Sequence, residues 1–225
     1  MQPSLSVVVP TLDAADHLPA CLAAAREAAF VRQVVVADGG SSDATRSVAG
    51  RAGARVLAVA RGRGTQLAAG AAAAACDWLL FLHADTVLSP GWSAEAARFM
   101  AGGNEDKAAY FRFRLDDRTP GAARVERLAR WRCRRLGLPY GDQGLLLSRQ
   151  FYDRIGGYRP LPLMEDVDLA RRIGRSRLVA LDHDAVTSAA RYRRDGYWLR
   201  PARNLLCLSL YLAGVPASRI ARLYG

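Results

Sequence analysis

The sequence predicts an α/β protein with a mainly parallel central sheet flanked by helices and closed by C-terminal helices. Three observations carry that expectation. Runs of strand length rich in valine, SLSVVVP, VRQVVVAD and ARVLAVA, recur between helix-length segments. Such near-continuous apolar runs suit strands covered on both faces, and polar residues stand where the runs stop. A hydrophobic content of 51% with 24% charged residues over 225 positions is that of one sizeable folded core. One domain spanning 1–225 is expected, with about 1–89 binding a ligand and about 90–225 acting on it.

The elements follow in order. Ser4 to Pro10 is a β-branched run closed by proline, hence a first strand. Asp16 is the expected cap of a helix reaching about Ala28, with Leu18, Leu22 and Ala25 or Arg26 at helical spacing. Val31 to Asp38 is a second strand, after which Gly39 and Gly40 let the backbone approach a ligand, and a helix begins near Asp43. Ala54 to Ala60 is a third strand, RGRGTQLAAGAAAAAC a basic turn and helix, and Asp77 to Asp85 the fourth strand. Successive βα units of this kind give a parallel sheet with right-handed crossovers. The polar ends Thr11, Asp13, Asp38, Arg63 and Asp85 then meet at one edge.

Beyond Pro90 the regularity loosens. A helix is expected over Gly91 to Met100, a strand with one wet face over Ala108 to Asp117, and a basic helix over Gly121 to Leu136. QGLLLSRQFYDRIGGY reads as a strand, a short helix and a glycine turn. A helix starts near Met164, one or two short strands cross Leu178 to Ala190, and a final helix pair breaks at Gly214 and Pro216.

Composition narrows the function classes. Cys21, Cys76, Cys133 and Cys207 are far apart and form no Cys/His cluster, which argues against structural zinc and demands no oxidising compartment. No apolar run reaches the roughly 18 residues of a membrane span, and strand-like sequence begins too early for a signal peptide. A cytoplasmic protein is expected. The net charge of +11 raises nucleic acid, anionic membrane and phosphorylated ligands as partners. With 31 Arg and Lys107 as the single Lys, this usage reflects the gene's nucleotide composition as much as function. Local clusters therefore weigh more than the total, and no nucleic-acid partner is expected.

Four stretches carry candidate chemistry. LLFLHADT reads as a buried strand that releases Asp85 into a loop, as a metal ligand or as a turn or cap residue. RGRGTQ sets arginines and glycines before a helix, where a phosphate could meet the helix N-terminus; an ordinary basic turn is the alternative. In MEDVDL, Asp166 shares a helical face with Leu169, Ala170 and Ile173, whereas Glu165 aligns with Asp168 and Arg172 on a polar row. A first-turn carboxylate on the inward face is a cap or a base aimed at a cavity. RVERLARWRCRRLG places Val125, Leu128, Ala129 and Leu136 on one face with Trp131 beside it and six Arg around it. That pattern suits a helix at an anionic membrane surface or a solvated helix packed on the sheet. A glycine-rich dinucleotide loop after the first strand is absent: PTLDAAD stands there.

Taken together, SVVVPTLDAADHLPACL, VVVADGGSSDAT, GRGTQLAAGAA, LLFLHADT, YGDQGLLLS and MEDVDLARRI stand in the order and spacing of glycosyltransferase family 2. The chain resembles a small bacterial member of that family over nearly its whole length. The resemblance implies the GT-A fold and an inverting transferase using a nucleotide sugar, often a UDP-sugar, with Mg2+ or Mn2+. On this likeness 1–89 is the nucleotide-binding half and 90–225 the acceptor and catalytic half. Pro10, Thr11 and Asp13 would line base and ribose, Asp38 would contact the base, and Arg63 would lie near base or phosphate. His83, Ala84 and Asp85 match the family's DxD motif, with Asp85 the metal ligand and His83 in place of the first carboxylate. Asp166 matches the catalytic carboxylate of the ED motif, and Glu165 is its partner. Asp142 and Gln143 of GDQG would face the sugar or acceptor, as would Arg191 and Arg194 of RYRRDG. That last stretch is at best a remnant of the QxxRW motif of processive synthases, so processive synthesis is not expected. The acceptor would be a small molecule or a lipid-linked group, with 124–136 as a contact to the inner face of a membrane. Within the family the pattern is similar to a group associated with arsenosugar biosynthesis. A nucleotidyltransferase of similar fold and a nonenzymatic basic protein binding nucleic acid or membrane are the competing classes.

Overall fold

Residues of the first strand alternate between two cores: Val7 and Val9 face one, Val8 the other. In the computed structural model, which describes residues 3–224, the same holds across the sheet's first half. That half consists of β1 (Leu5–Thr11), β2 (Val31–Asp38), β3 (Arg55–Ala58) and β4 (Trp78–Phe81). All of them pair in parallel, in the order β3-β2-β1-β4. The connecting helices are α1 (Leu18–Arg26), α2 (Thr45–Arg51) and α3 (Arg63–Ala73). Leu18, Leu22 and Ala49 of α1 and α2 pack on the Val7/Val9 face, and Leu67 and Ala71 of α3 on the Val8 face.

The second half extends the same sheet. Its strands are β5 (Thr86–Leu88), β6 (Ala108–Leu115), β7 (Leu145–Ser148) and β8 (Leu178–Thr187), and the full order is β3-β2-β1-β4-β7-β6-β8-β5. Here the pairing is mixed: β7 runs antiparallel to β4 and β6, β8 parallel to β6, and β5 antiparallel to β8. Helices α4 (Trp92–Ala101), α5 (Pro120–Leu136), α6 (Arg149–Arg154), α7 (Glu165–Ile173), α8 (Ala190–Asp195), α9 (Leu199–Leu212) and α10 (Ala217–Tyr224) surround it. Helix α7 is covered on both sides, by Leu169 and Ile173 toward the sheet and by Val167 and Ala170 toward Leu208 and Ile220 of the last helices.

Several elements differ from expectation. The fourth strand stops at Phe81, not Asp85, because the chain turns after His83 and re-enters the sheet as the unexpected β5. Asp16 does not cap α1: the helix begins after His17, and Asp16 is exposed. The stretch 178–190 makes one ten-residue strand, held between β6 and β5. The single apolar face expected on 124–136 is split. Val125 and Ala129 are buried against β6, while Leu128, Trp131 and Leu136 stay exposed. No helix among the described residues is long and apolar enough to cross a membrane.

Candidate active site

β1 has β2 on one side and β4 on the other, so the chain leaving β1 and the chain leaving β4 diverge. This is the switch point where open α/β sheets bind ligands. A cavity of about 450 Å³ lies there, lined by 10–14 at the end of β1 and beyond it, by His83, Ala84 and Asp85 after β4, and by Arg61, Arg63 and Gln66 around the start of α3.

Its floor is a pair of loops that bind each other. Asp13, in left-handed backbone at φ 48°, accepts hydrogen bonds from the Ser42 amide at 2.8 Å and the Ser42 hydroxyl at 3.0 Å. The Ala14 and Ala15 amides donate in turn to Thr45 Oγ1 and Asp43 Oδ2. Asp38 is fully buried beneath them. Its carboxylate accepts from the Gly40 and Ser41 amides, the Ser41 hydroxyl and the Thr11 hydroxyl. Burial pushes its pKa up, but these hydrogen bonds prevail and hold it below the ordinary aspartate value. Gln66 Nε2 donates to Thr11 O at 2.7 Å and Ala37 O at 2.8 Å, tying the ends of β1 and β2 to α3.

The other side of the site is built around α7. Met164 precedes it in left-handed backbone at φ 65°, an uncommon state for a side chain with a Cβ. Glu165 is buried and paired with Arg63, the first residue of α3. Burial raises the Glu165 pKa, against the pull of Arg63; burial lowers that of Arg63, but Glu165 and Asp166 prevail and raise it. Asp166 Oδ2 accepts from the Gly141 amide at 3.0 Å and Oδ1 from the Val167 amide at 2.8 Å. A Cβ at Gly141 would lie 2.5 Å from His83 Nε2, so a larger residue there would displace the imidazole. The expected division of α7 is therefore revised. The row of Glu165 and Asp168 is buried, covered by Arg63, Arg159 and Arg172, whereas Asp166 keeps an open edge.

That edge faces a second cavity of about 100 Å³, lined also by Tyr140, Asp142, Tyr192, Arg200 and Asn204. Arg63, His83, Asp85, Ser188 and Arg191 line both cavities, so they form one cleft with a seam. Arg191 reaches the seam because β5 pairs with β8 and the Ser188 amide donates to Asp85 O at 3.1 Å. At the seam His83 is neutral at neutral pH: burial, then the charge of Arg63, lowers its pKa to about 4. Asp142 Oδ1 is buried with no hydrogen-bond partner. Burial, opposed by Arg132 and reinforced by Asp166 and Asp85, raises the Asp142 pKa to about 6.

Of the residues expected at the site, Pro10, Thr11, Asp13, Arg63, His83, Ala84, Asp85, Asp142, Asp166 and Arg191 line the cleft. Glu165 stands behind it. Three others lie elsewhere. Asp38 spends its carboxylate on Thr11 and on Gly40 and Ser41 of the loop above it. Gln143 is buried, its amide donating to Phe111 O while its carbonyl accepts from Arg132 and the Tyr140 amide. Arg194 is exposed and paired with its neighbour Asp195. The cleft also contains His17, Gln66, Pro162, Ser188, Tyr140, Tyr192 and Asn204, which sequence reasoning missed. Gln66 was within reach, one helical turn from Arg63; Ser188 depends on the β5–β8 pairing and carried no local signal.

Among the described residues no group of three or more His, Cys, Asp or Glu is arranged to hold a metal ion. Asp85 is nonetheless a carboxylate at the seam, and Asp142 Oδ1 is an unpaired oxygen of the same cleft. One or two carboxylates suffice for an ion that keeps water and substrate phosphates as its other ligands, so the residues fit such an ion.

The model of glycosyl transferase family 2 matches residues 6–162. A PGL/p-HBAD biosynthesis glycosyltransferase of Mycobacterium tuberculosis is 37% identical over 100 residues, a match covering 38% of this chain and 37% of that protein. The chain thus spans little more than a third of the length of this curated relative. Glucosyl-3-phosphoglycerate synthase of Mycobacterium tuberculosis, solved with Mn2+ and UDP-glucose, superposes with a TM-score of 0.65 at 18% identity, over 95% of this chain and 80% of that one. A mannosyltransferase of Pyrobaculum calidifontis, solved with GDP-mannose and Mn2+, gives 0.66 at 19% identity, over 90% and 60%. At these identities the two structures share the fold.

Proposed function

The chain belongs to glycosyl transferase family 2 and has the GT-A fold, and on that premise we propose that it is an inverting glycosyltransferase. It moves a sugar from a nucleoside diphosphate, a UDP-sugar first among them, to an acceptor hydroxyl or phosphate. The observation that carries this reading is Asp166, fixed by two backbone amides on the wall of a small cavity that opens into a larger one at the switch point. The larger cavity suits the nucleotide and the smaller one the sugar and acceptor.

Asp166 has lone pairs left after accepting two amides, since a carboxylate offers about four acceptor sites. It takes the proton from the acceptor hydroxyl as that oxygen attacks the anomeric carbon opposite the diphosphate. The new C–O bond forms as the bond to the diphosphate breaks, which inverts the carbon. Arg63 and Arg191 put positive charge at the seam, where the leaving diphosphate gains negative charge, and Arg63 also opens the N-terminus of α3. Asp85, with Asp142 beside it, would hold the Mg2+ or Mn2+, which supplies Lewis-acid neutralisation of that diphosphate. Glu165 fixes the Arg63 guanidinium from behind.

Incubation with UDP- and GDP-sugars and an acceptor should release nucleoside diphosphate. Asp166→Asn should lose about 10² to 10⁴ in transfer rate while UDP with Mn2+ stabilises it as it does the wild type. Transfer by that variant at near wild-type rate removes Asp166 as the base, and release of pyrophosphate instead points to nucleotidyl transfer.

A further inference from the structure

An apolar trench of about 300 Å³ runs between α5 and α9 and ends at the catalytic cavity. Its floor is made of buried side chains, Phe113, Val125, Ala129 and Leu208. Its walls are large apolar residues left in water: Leu128 at 52% exposure and Trp131 at 56% on α5, Leu205 at 63% on α9, and Trp198 at 70% just before α9. Contiguous exposure of this kind is rare unless something binds it. At the inner end, Tyr140, Asp142, Tyr192 and Asn204 line the trench and the cavity of Asp166 alike. Two stacked arginines mark its course: Arg132 lies 3.3 Å over the Tyr140 ring at the inner end, and Arg124 lies 3.6 Å over Trp198 on the wall.

We propose that the trench binds the hydrocarbon chain of a lipid-type acceptor whose hydroxyl or phosphate head sits in the cavity at Asp166. This rests on the transferase reading and gives its acceptor a chemical class. The continuity decides the occupant. A second copy of this chain lying over the trench would cover its inner mouth and with it the acceptor side of the cavity. A bilayer pressed against the walls would leave the floor unfilled. A single chain running out from a head group at Asp166 fills floor and walls together, and Arg132 at the inner end sets one positive charge beside that head.

The test uses n-hexyl, n-decyl and n-tetradecyl phosphates and the matching n-alkyl glucosides, each below its micelle-forming concentration, with binding followed by tryptophan fluorescence. Affinity should rise with chain length by up to about fourfold per buried methylene and level off once the trench is full. Leu128→Glu and Leu205→Glu should abolish the length dependence, and because both side chains are already exposed the fold should survive. The same samples are scanned for thermal stabilisation by UDP with Mn2+, which should be unchanged in both variants. Binding indifferent to chain length, length dependence that persists in both variants, binding only to anionic vesicles, or dimerisation without alkyl binding each overturns the proposal. If UDP with Mn2+ fails to stabilise the wild type while the chain-length effect holds, it is the transferase reading that falls.

Discussion

Asp142 and Asp166 face one cavity with different surroundings: Asp166 is held by two amides, whereas Asp142 Oδ1 is buried without a partner. The pKa of Asp142, raised from 3.8 to about 6, means that the folded protein favours its protonated form. Ionisation therefore costs stability as pH rises from about 4 to about 6, the cost then stays constant, and it is absent where both states are protonated. Asp142→Asn should raise the melting temperature of the ligand-free protein at pH 7.5 and leave it nearly unchanged at pH 4; an equal gain at both would contradict the assignment. Gln66 supports a second prediction. Its amide satisfies two strand-end carbonyls, and Gln66→Leu leaves them without it, at a cost of about 1–3 kcal/mol in denaturant unfolding and with weaker UDP binding. At this scale the sequence was a good guide to residue type and position along the chain. Thr11, Asp13, Asp85 and Asp166 were legible because each sits where an apolar run stops or a helix starts. Gln143 and Asp38 do not line the cleft, and chain order does not tell whether a polar side chain faces a ligand or the neighbouring backbone.

The elements that position the site were unequally legible. The four parallel strands could be read from their apolar runs, and the helix pair at the end from Gly214 and Pro216. β5 could not: it has three residues, and its partner β8 lies about a hundred positions away, yet this pairing carries Ser188 and Arg191 to Asp85. The wall opposite is set by Gly64 of α3, where a Cβ would lie 2.3 Å from Arg159 O, a backbone atom of the segment that leads to Pro162 in the cavity. Gly64→Ala must push that segment away. A stability loss of about 1–3 kcal/mol and a raised Kd for UDP are expected. Gly50→Ala, whose Cβ meets nothing within 4 Å, is the control, and equal effects from the two would remove the close approach as the cause.

Across the whole molecule, part of the positive charge is engaged in structural contacts. Arg149 donates to Ala71, Ala74 and Cys76 carbonyls at the end of α3, Arg172 pairs with Asp168, and Arg112 with Asp182 and Asp184. Saturable binding to duplex DNA at physiological salt is therefore not expected, and a gel-shift titration checks it. At the cleft, Arg61, Arg191 and Arg63, the last paired with Glu165, line the cavity together with Asp85. The most direct measurement is thermal unfolding of wild type and Asp85→Ala with UDP or GDP, each with and without Mn2+. A marked rise is expected only when nucleotide and metal are both present, and it should be lost in Asp85→Ala. No stabilisation by either nucleotide with Mn2+, or an equal rise in the variant, would contradict a metal-assisted nucleotide-sugar site built on Asp85.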